Sequence, residues 1–403
     1  MKYKDSPEPP PAGRDVTHAH VRHGVQDAVR PDAPVRPNAQ PSEAMKNARS
    51  YLVMIGPPPD GCGGISSVVA AYRESGLFER CRVHYVSPVA EGPVAAKVVA
   101  AATALARFGA LLAGGKVHLV HIHLASGVSF WRKAIFASLA YSFGKPVILH
   151  LHSGNFVKFS TNRSRLGQRI IAAVFRRADR VVILSDSWLD RLSGILPPAR
   201  CVVIENPVVP PLPWTALPRD RLPVCFVFLG RLEANKGAYD LLNAFAKVAA
   251  VYPDVKLVMG GAGNMAYCEE LSERLQIRAK VSLPGWVIGA EKAQLLREAH
   301  AFVLPSHIEG MPISMLEAMS FGLPMVMCPV GSIPDVVSDG EEAIFVPPGD
   351  VESLAAAMLR LACDAEMRHA MGARNLEKFT RRFSAEVIAA RVEAMYQEII
   401  DER

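Results

Sequence analysis

From residue 50 onward the chain alternates short unbroken apolar runs with stretches in which apolar residues return every three or four positions. Tyr51-Leu52-Val53-Met54-Ile55 is the first run, and further strands are expected at 82–86, 119–123, 147–152, 181–184 and 201–204. An apolar run with no polar alternation marks a strand covered on both faces, the pattern of a parallel sheet. The stretches between them have helical spacing, beginning with 65–75. A proline-rich stretch, 207–223, breaks the rhythm and reads as an interdomain linker. Alternation restarts at Val224–Leu229 and continues through 256–259, 281–283, 301–304, 324–328 and 343–346. The pattern predicts an α/β chain of two doubly wound parallel-sheet domains, 50–212 and 213–383, facing a central cleft. Ligands of such sheets bind outside the carboxyl ends of the strands. The segment 384–403 reads as an amphipathic helix with apolar positions at Val387, Ile388, Val392, Met395 and Ile399.

Length agrees with this division, since 403 residues exceed one ordinary core. Residues 1–49 are rich in proline and charge and read as a disordered tail, with Met45 a candidate alternative start. A net charge of +6 suits anionic ligands or an anionic membrane surface and does not demand nucleic acid. Seven scattered cysteines form no CxxC pair, which argues against a zinc ribbon or redox motif and for a reducing, cytosolic compartment. The N-terminus lacks the apolar core of a secretory signal. The alanine-rich stretch 98–114 is nearly long enough to span a membrane, but we read it as a packed helix, leaving superficial membrane contact open.

Four features carry candidate chemistry. In the loop after the restarted strand, Arg231 and Lys236 could both enter the cleft and neutralise a diphosphate; the plainer alternative is two solvated surface cations. After the run at 301–304, Glu309 precedes a turn and Glu317 lies inside the following helix, with Pro312 at its start. The free N–H groups of that turn offer an anion site between two carboxylates suited to hydroxyl groups. The alternatives are that Glu309 favours the helix N-terminus electrostatically and that Glu317 is exposed. Gly61 to Gly64 follow the first strand and permit close backbone approach, without the spacing of a dinucleotide fingerprint. His121 and His123, and His150 and His152, form two His-x-His pairs on neighbouring strands. With no acidic or cysteine partner at matching spacing, we expect no metal there; one histidine of each pair should be core and the other reach the cleft.

The stretch Ser306-His307-Ile308-Glu309-Gly310-Met311-Pro312, with Glu317-Ala318-Met319 and Gly322-Leu323-Pro324, resembles the signature of family four (group 1) retaining glycosyltransferases of the GT-B fold. Gly230-Arg231-Leu232, Lys236-Gly237, Gly260 to Gly263, Leu283 to Val287 and Gly331 to Asp335 agree with it, although Asp335 stands where that family more often has Glu. The resemblance runs from about Leu52 to the C-terminus and is strongest in the second domain. It implies transfer of a hexose from a nucleoside-diphosphate sugar, GDP-mannose or a UDP-hexose, to a glycan hydroxyl. The acceptor would be lipid-linked, in bacterial surface polysaccharide synthesis at the cytoplasmic face of the inner membrane. No cofactor or metal is implied. By position, Arg231 and Lys236 correspond to the diphosphate-binding pair and Glu309 to the carboxylate on the donor sugar. Glu317 corresponds to the carboxylate on the ribose, with Gly310 and Met311 supplying backbone N–H donors and Pro312 part of the same donor-binding turn. Trp286 and Val287 would receive the base, Gly63 and Gly64 the phosphate, and His152 an outer sugar hydroxyl, with His123 on the acceptor side. The terminal helix would cross back onto the first domain. The competing readings are a nucleotide-sugar epimerase or phosphorylase on this architecture, or a binding subunit without catalysis.

Overall fold

The computed structural model describes residues 50–61, 63–90, 92–210 and 222–403. The expected tail, Met45, Cys62 and most of the expected linker lie outside the described residues. The first sheet comprises β1 (Tyr51–Ile55), β2 (Val83–Val86), β3 (Val117–Leu124), β4 (Val147–Leu151), β5 (Arg180–Ile183) and β6 (Cys201–Val203). The second comprises β7 (Val224–Leu229), β8 (Val255–Gly260), β9 (Val281–Gly285), β10 (Ala301–Leu304), β11 (Met325–Met327) and β12 (Ala343–Phe345). Their orders are β2-β1-β3-β4-β5-β6 and β12-β11-β10-β7-β8-β9. The pairings are parallel throughout. Each order reverses once, between β1 and β3 and between β7 and β10. At such a reversal the connections leave toward opposite faces and open a crevice at the carboxyl edge.

The central strands earn their unbroken apolar character by packing on both sides. In β1, Val53 and Ile55 join one core, while Leu52 and Met54 face another. That second core is closed by the helix Ala385–Asp401, which buries Ile388, Val392, Met395, Tyr396 and Ile399 against Leu52, Leu119, Ile148 and Val182. Ser384 caps it by accepting from the Val387 N–H. An ion cluster fixes where it docks. Glu205, 1% exposed, accepts from Arg382 Nη2 at 2.9 Å and from Arg391 Nη1. Arg391 Nη2 also donates to the Val203 carbonyl at 2.7 Å. The last helix therefore belongs by packing to the first domain, although it follows the second in sequence.

One expectation is overturned. The apolar stretch forms the helix Val94–Ala113, but it is not packed: only Ala104, Phe108 and Leu112 are buried. The reason is its length. The C-terminal half alone lies over the sheet, and from Val94 to Thr103 no residue is buried.

Candidate active site

Two loops flank the reversal in the second sheet, one leaving β7 and the other leaving β10. They approach so closely that only glycine fits at their contact. Gly237 has φ 67°, and a Cβ there would lie 2.1 Å from the Pro305 carbonyl oxygen. This closeness brings Lys236 to Glu309, with Nζ 2.6 Å from Oε1 and the Glu309 side chain only 8% exposed. The helix Ile313–Ser320 then carries Glu317 inward, where it meets Lys292 of the helix Gly289–Glu298 at 2.5 Å. Burial pushes the Glu317 carboxyl above the usual range, and Lys292 partly offsets this. Glu317 is thus neither exposed nor unpartnered. Arg231 instead pairs with Glu233 at 2.6 Å on the surface, with its side chain 57% exposed. An ion pair that open contributes little and leaves the guanidinium free to turn toward an anion.

The first domain closes on the same loop. A Cβ on Gly154, just beyond β4, would lie 2.2 Å from the Glu309 carbonyl oxygen, and one on Gly331 equally close to it. A Cβ on Gly310 would lie 3.0 Å from the His152 carbonyl. The Glu309–Gly310 peptide is therefore clamped between glycines of both domains. Asn206 donates to the Met311 carbonyl at 3.0 Å, and its side chain also stands beside His152. The helix Gly64–Glu74 begins at Gly63, whose φ of 138° opens the turn. A Cβ on Gly64 would sit 3.7 Å from Ile313. Two helix N-termini, one from each domain, consequently meet at one place, and both favour negative charge there. Beyond them the domains are tied by Trp188 Nε1 donating to Ser332 Oγ at 2.7 Å and Ser187 Oγ donating to Asp335 at 2.6 Å. Trp286 is 41% exposed after β9, while Val287 is buried against Gly260.

The histidines correct a second expectation. His121 and His123 are both fully buried, so His123 does not face the acceptor side. The reason is topological: β3 lies in mid-sheet, with the Ala385–Asp401 helix over His121 and Tyr72 of the first domain beside His123. His121 Nδ1 shares a hydrogen bond with Tyr396 at 2.5 Å, and His123 Nδ1 shares one with His152 Nε2 at 2.9 Å. His152 is the partly exposed member. Burial pushes His121 and His152 down to about 3, and nearby Lys133 acts in the same direction on His152. The row is accordingly neutral at pH 7. His121, His123 and His150 bring ring nitrogens within 4.8 Å of one another. Yet His121 stacks on His123 with planes 19° apart and on His150 with planes 22° apart. His121 Nε2 and His150 Nδ1 lie 3.2 Å apart and share a hydrogen bond, while His121 Nδ1 and His123 Nδ1 are engaged by Tyr396 and His152, so these nitrogens already have partners within the protein. Lys133 is 1% exposed, and burial aided by Arg132 pushes its ammonium down to about 7.

Sequence reading missed Lys292, Asn206 and Glu205. Lys292 sits in an ordinary amphipathic helix with nothing to mark it. Asn206 precedes Pro207 and signalled only the start of a linker.

Residues 52–207 match the family model described as glycosyl transferase 4-like domain, and 223–364 the one described as glycosyl transferases group 1. Glycogen synthase of Mycobacterium tuberculosis is 27% identical over 269 residues, 64% of each chain. The putative colanic acid biosynthesis glycosyltransferase WcaL of Salmonella typhimurium is 25% identical over 236 residues, 56% of this chain and 58% of that one. The chain thus matches less than two thirds of the length of these relatives. Among solved structures, Anabaena Alr3699/HepE in complex with UDP-glucose superposes with a TM-score of 0.67 at 16% identity, covering 86% of this chain and 99% of that one.

Proposed function

Because the chain belongs to the group 1 glycosyl transferases and has the GT-B fold, we propose that it transfers a hexose, with retention, from a nucleoside-diphosphate sugar to a hydroxyl of a lipid-linked glycan. The observation that carries this reading is the paired arrangement Lys236–Glu309 and Lys292–Glu317 around the place where two helix N-termini meet. A diphosphate there would draw Lys236 away from Glu309. The ammonium would then neutralise the leaving group while the released carboxylate accepts from sugar hydroxyls. Glu317, still held by Lys292, would accept from the ribose hydroxyls, with the base near Trp286 and Val287. Arg231 would swing from Glu233 onto the phosphates, and His152, neutral and steadied by His123 and Asn206, would meet an outer sugar hydroxyl.

In the reaction the anomeric carbon–oxygen bond to the diphosphate breaks as the acceptor oxygen bonds to the same face. The acceptor proton passes to the departing phosphate oxygen. Protein groups that stabilise that oxygen supply the catalysis, without a required metal. HepE, solved with UDP-glucose, makes UDP-hexoses the first donors to test and GDP-mannose the next. WcaL, named for colanic acid synthesis, supports a bacterial surface polysaccharide as the product, made at the cytoplasmic face of the inner membrane. The test is thermal shift with UDP and GDP, then product mass and anomeric configuration with each donor and a membrane-extracted acceptor, with and without EDTA. One nucleotide should raise the melting temperature, and its sugar should be transferred with retention in EDTA. Stabilisation by neither nucleotide, or an inverted product, overturns the proposal.

A further inference from the structure

The helix Val94–Ala113 is amphipathic the wrong way round for a soluble domain. Its inward side buries Ala104, Phe108 and Leu112. Its outward side carries Ala95, Val98, Val99, Ala102 and Ala106, at the spacing of one helical face. Val94, Val98 and Val99 are 76%, 62% and 63% exposed. Its neighbour Val128–Ser142 adds exposed Val128 and Ile135. The next helix, Arg165–Arg177, adds Leu166 and Ile170 among exposed Arg165, Arg169, Arg176 and Arg177. All three bury their inner sides in the same core and so cover one face of the first sheet. An apolar surface this continuous marks an interaction site.

The charge around it is one-sided. Between Gly92 and Ala178 the chain has twelve Lys and Arg and no Asp or Glu, although its net charge as a whole is only +6.

We propose that this face docks on an anionic lipid bilayer, with the Val94–Ala113 helix lying in the plane of the headgroup boundary and the arginines of Arg165–Arg177 meeting lipid phosphates. An apolar face flanked by cations is the combination that such a surface recognises. A second copy of the chain would set this cationic surface against itself. Nucleic acid would leave the valines nothing apolar to meet. The helix does not cross the bilayer, because Ala104, Phe108 and Leu112 hold it to the sheet. The proposal deepens the lipid-linked acceptor reading and rests on it for its purpose. Its test uses neither donor nor acceptor, so either reading can fail without the other.

The full chain is sedimented with phosphatidylcholine vesicles, with and without phosphatidylglycerol. Wild type should pellet with the anionic vesicles, and less so as salt rises. Val94→Ser/Val98→Ser/Val99→Ser should weaken binding by about tenfold or more, and Arg165→Ser/Arg169→Ser/Arg176→Ser should remove most of the salt dependence. Unchanged melting temperatures would show that both variants fold. Wild type remaining in the supernatant, or valine variants that pellet like wild type, would overturn the proposal. So would a dimer by light scattering that the valine substitutions abolish, since this face would then be a self-interface.

Discussion

At the scale of single residues, opposed pairs carry the site. Lys236 is the cation with the clearest task, because its present partner Glu309 is a group that a bound donor would also occupy. Lys236→Ala should lower kcat by ~100–1000-fold, equivalent to about 2–4 kcal/mol of lost leaving-group stabilisation. Steady-state kinetics with the cognate donor would show this, and near-normal turnover would remove Lys236 from the reaction. Lys133 makes a different prediction. Its folded pKa is pushed down to about 7, against roughly 10.4 for an unfolded lysine. Between those values the unfolded chain binds more protons, so stability rises with pH across that window and is lower at its acid end. Urea unfolding at neutral and alkaline pH should show the rise, and Lys133→Met should be more stable at neutral pH and flatten it. Equal slopes in both proteins would contradict this reading.

Among elements, the terminal helix shows how a few charges place a long segment. Its apolar stripe would suit many sheet faces. Glu205, itself buried, selects this one by holding the half-buried Arg382 and the buried Arg391. Glu205→Ala leaves two guanidinium groups without their partner, one of them buried, and should destabilise the protein by about 3–5 kcal/mol. Denaturation monitored by hydrogen exchange should show the helix Ala385–Asp401 losing protection first. If that helix stayed as protected as the second sheet, Glu205 would not be its anchor. The histidine row lies under the same helix, so loosening it should also disturb His152 through Tyr396, His121 and the rings stacked beside them.

For the whole molecule, the decisive feature is that the two domains share one peptide. Gly154 of the first domain and Gly331 of the second both approach the Glu309 carbonyl, and neither position has room for a Cβ. Gly154→Ala should therefore hold the halves apart. Turnover should fall while nucleotide binding to the second domain is retained, a loss in kcat with little change in Kd. Isothermal titration beside kinetics would separate the two, and full activity would show that the contact is not needed for catalysis.

Much of this architecture was legible because it rests on local rules. Unbroken apolar runs announced parallel strands, and glycine–proline punctuation placed the loops. Glu309, Glu317, Arg231 and Lys236 stood out because they follow strand ends, where ligands of such sheets bind. What remained hidden depended on partners distant in sequence. Lys292 matters because it meets Glu317, Asn206 because it meets Met311, and His123 lost its expected place because it is buried beside Tyr72 and paired with His152. The apolar stretch 98–114 had the composition of a core helix, and only the fold decided that half of it overhangs the sheet. Periodicity follows from the geometry of one segment and survives in the sequence. Burial and pairing arise only when segments meet, so the sequence determined the elements and the tertiary structure decided which of their faces became core, cleft or surface.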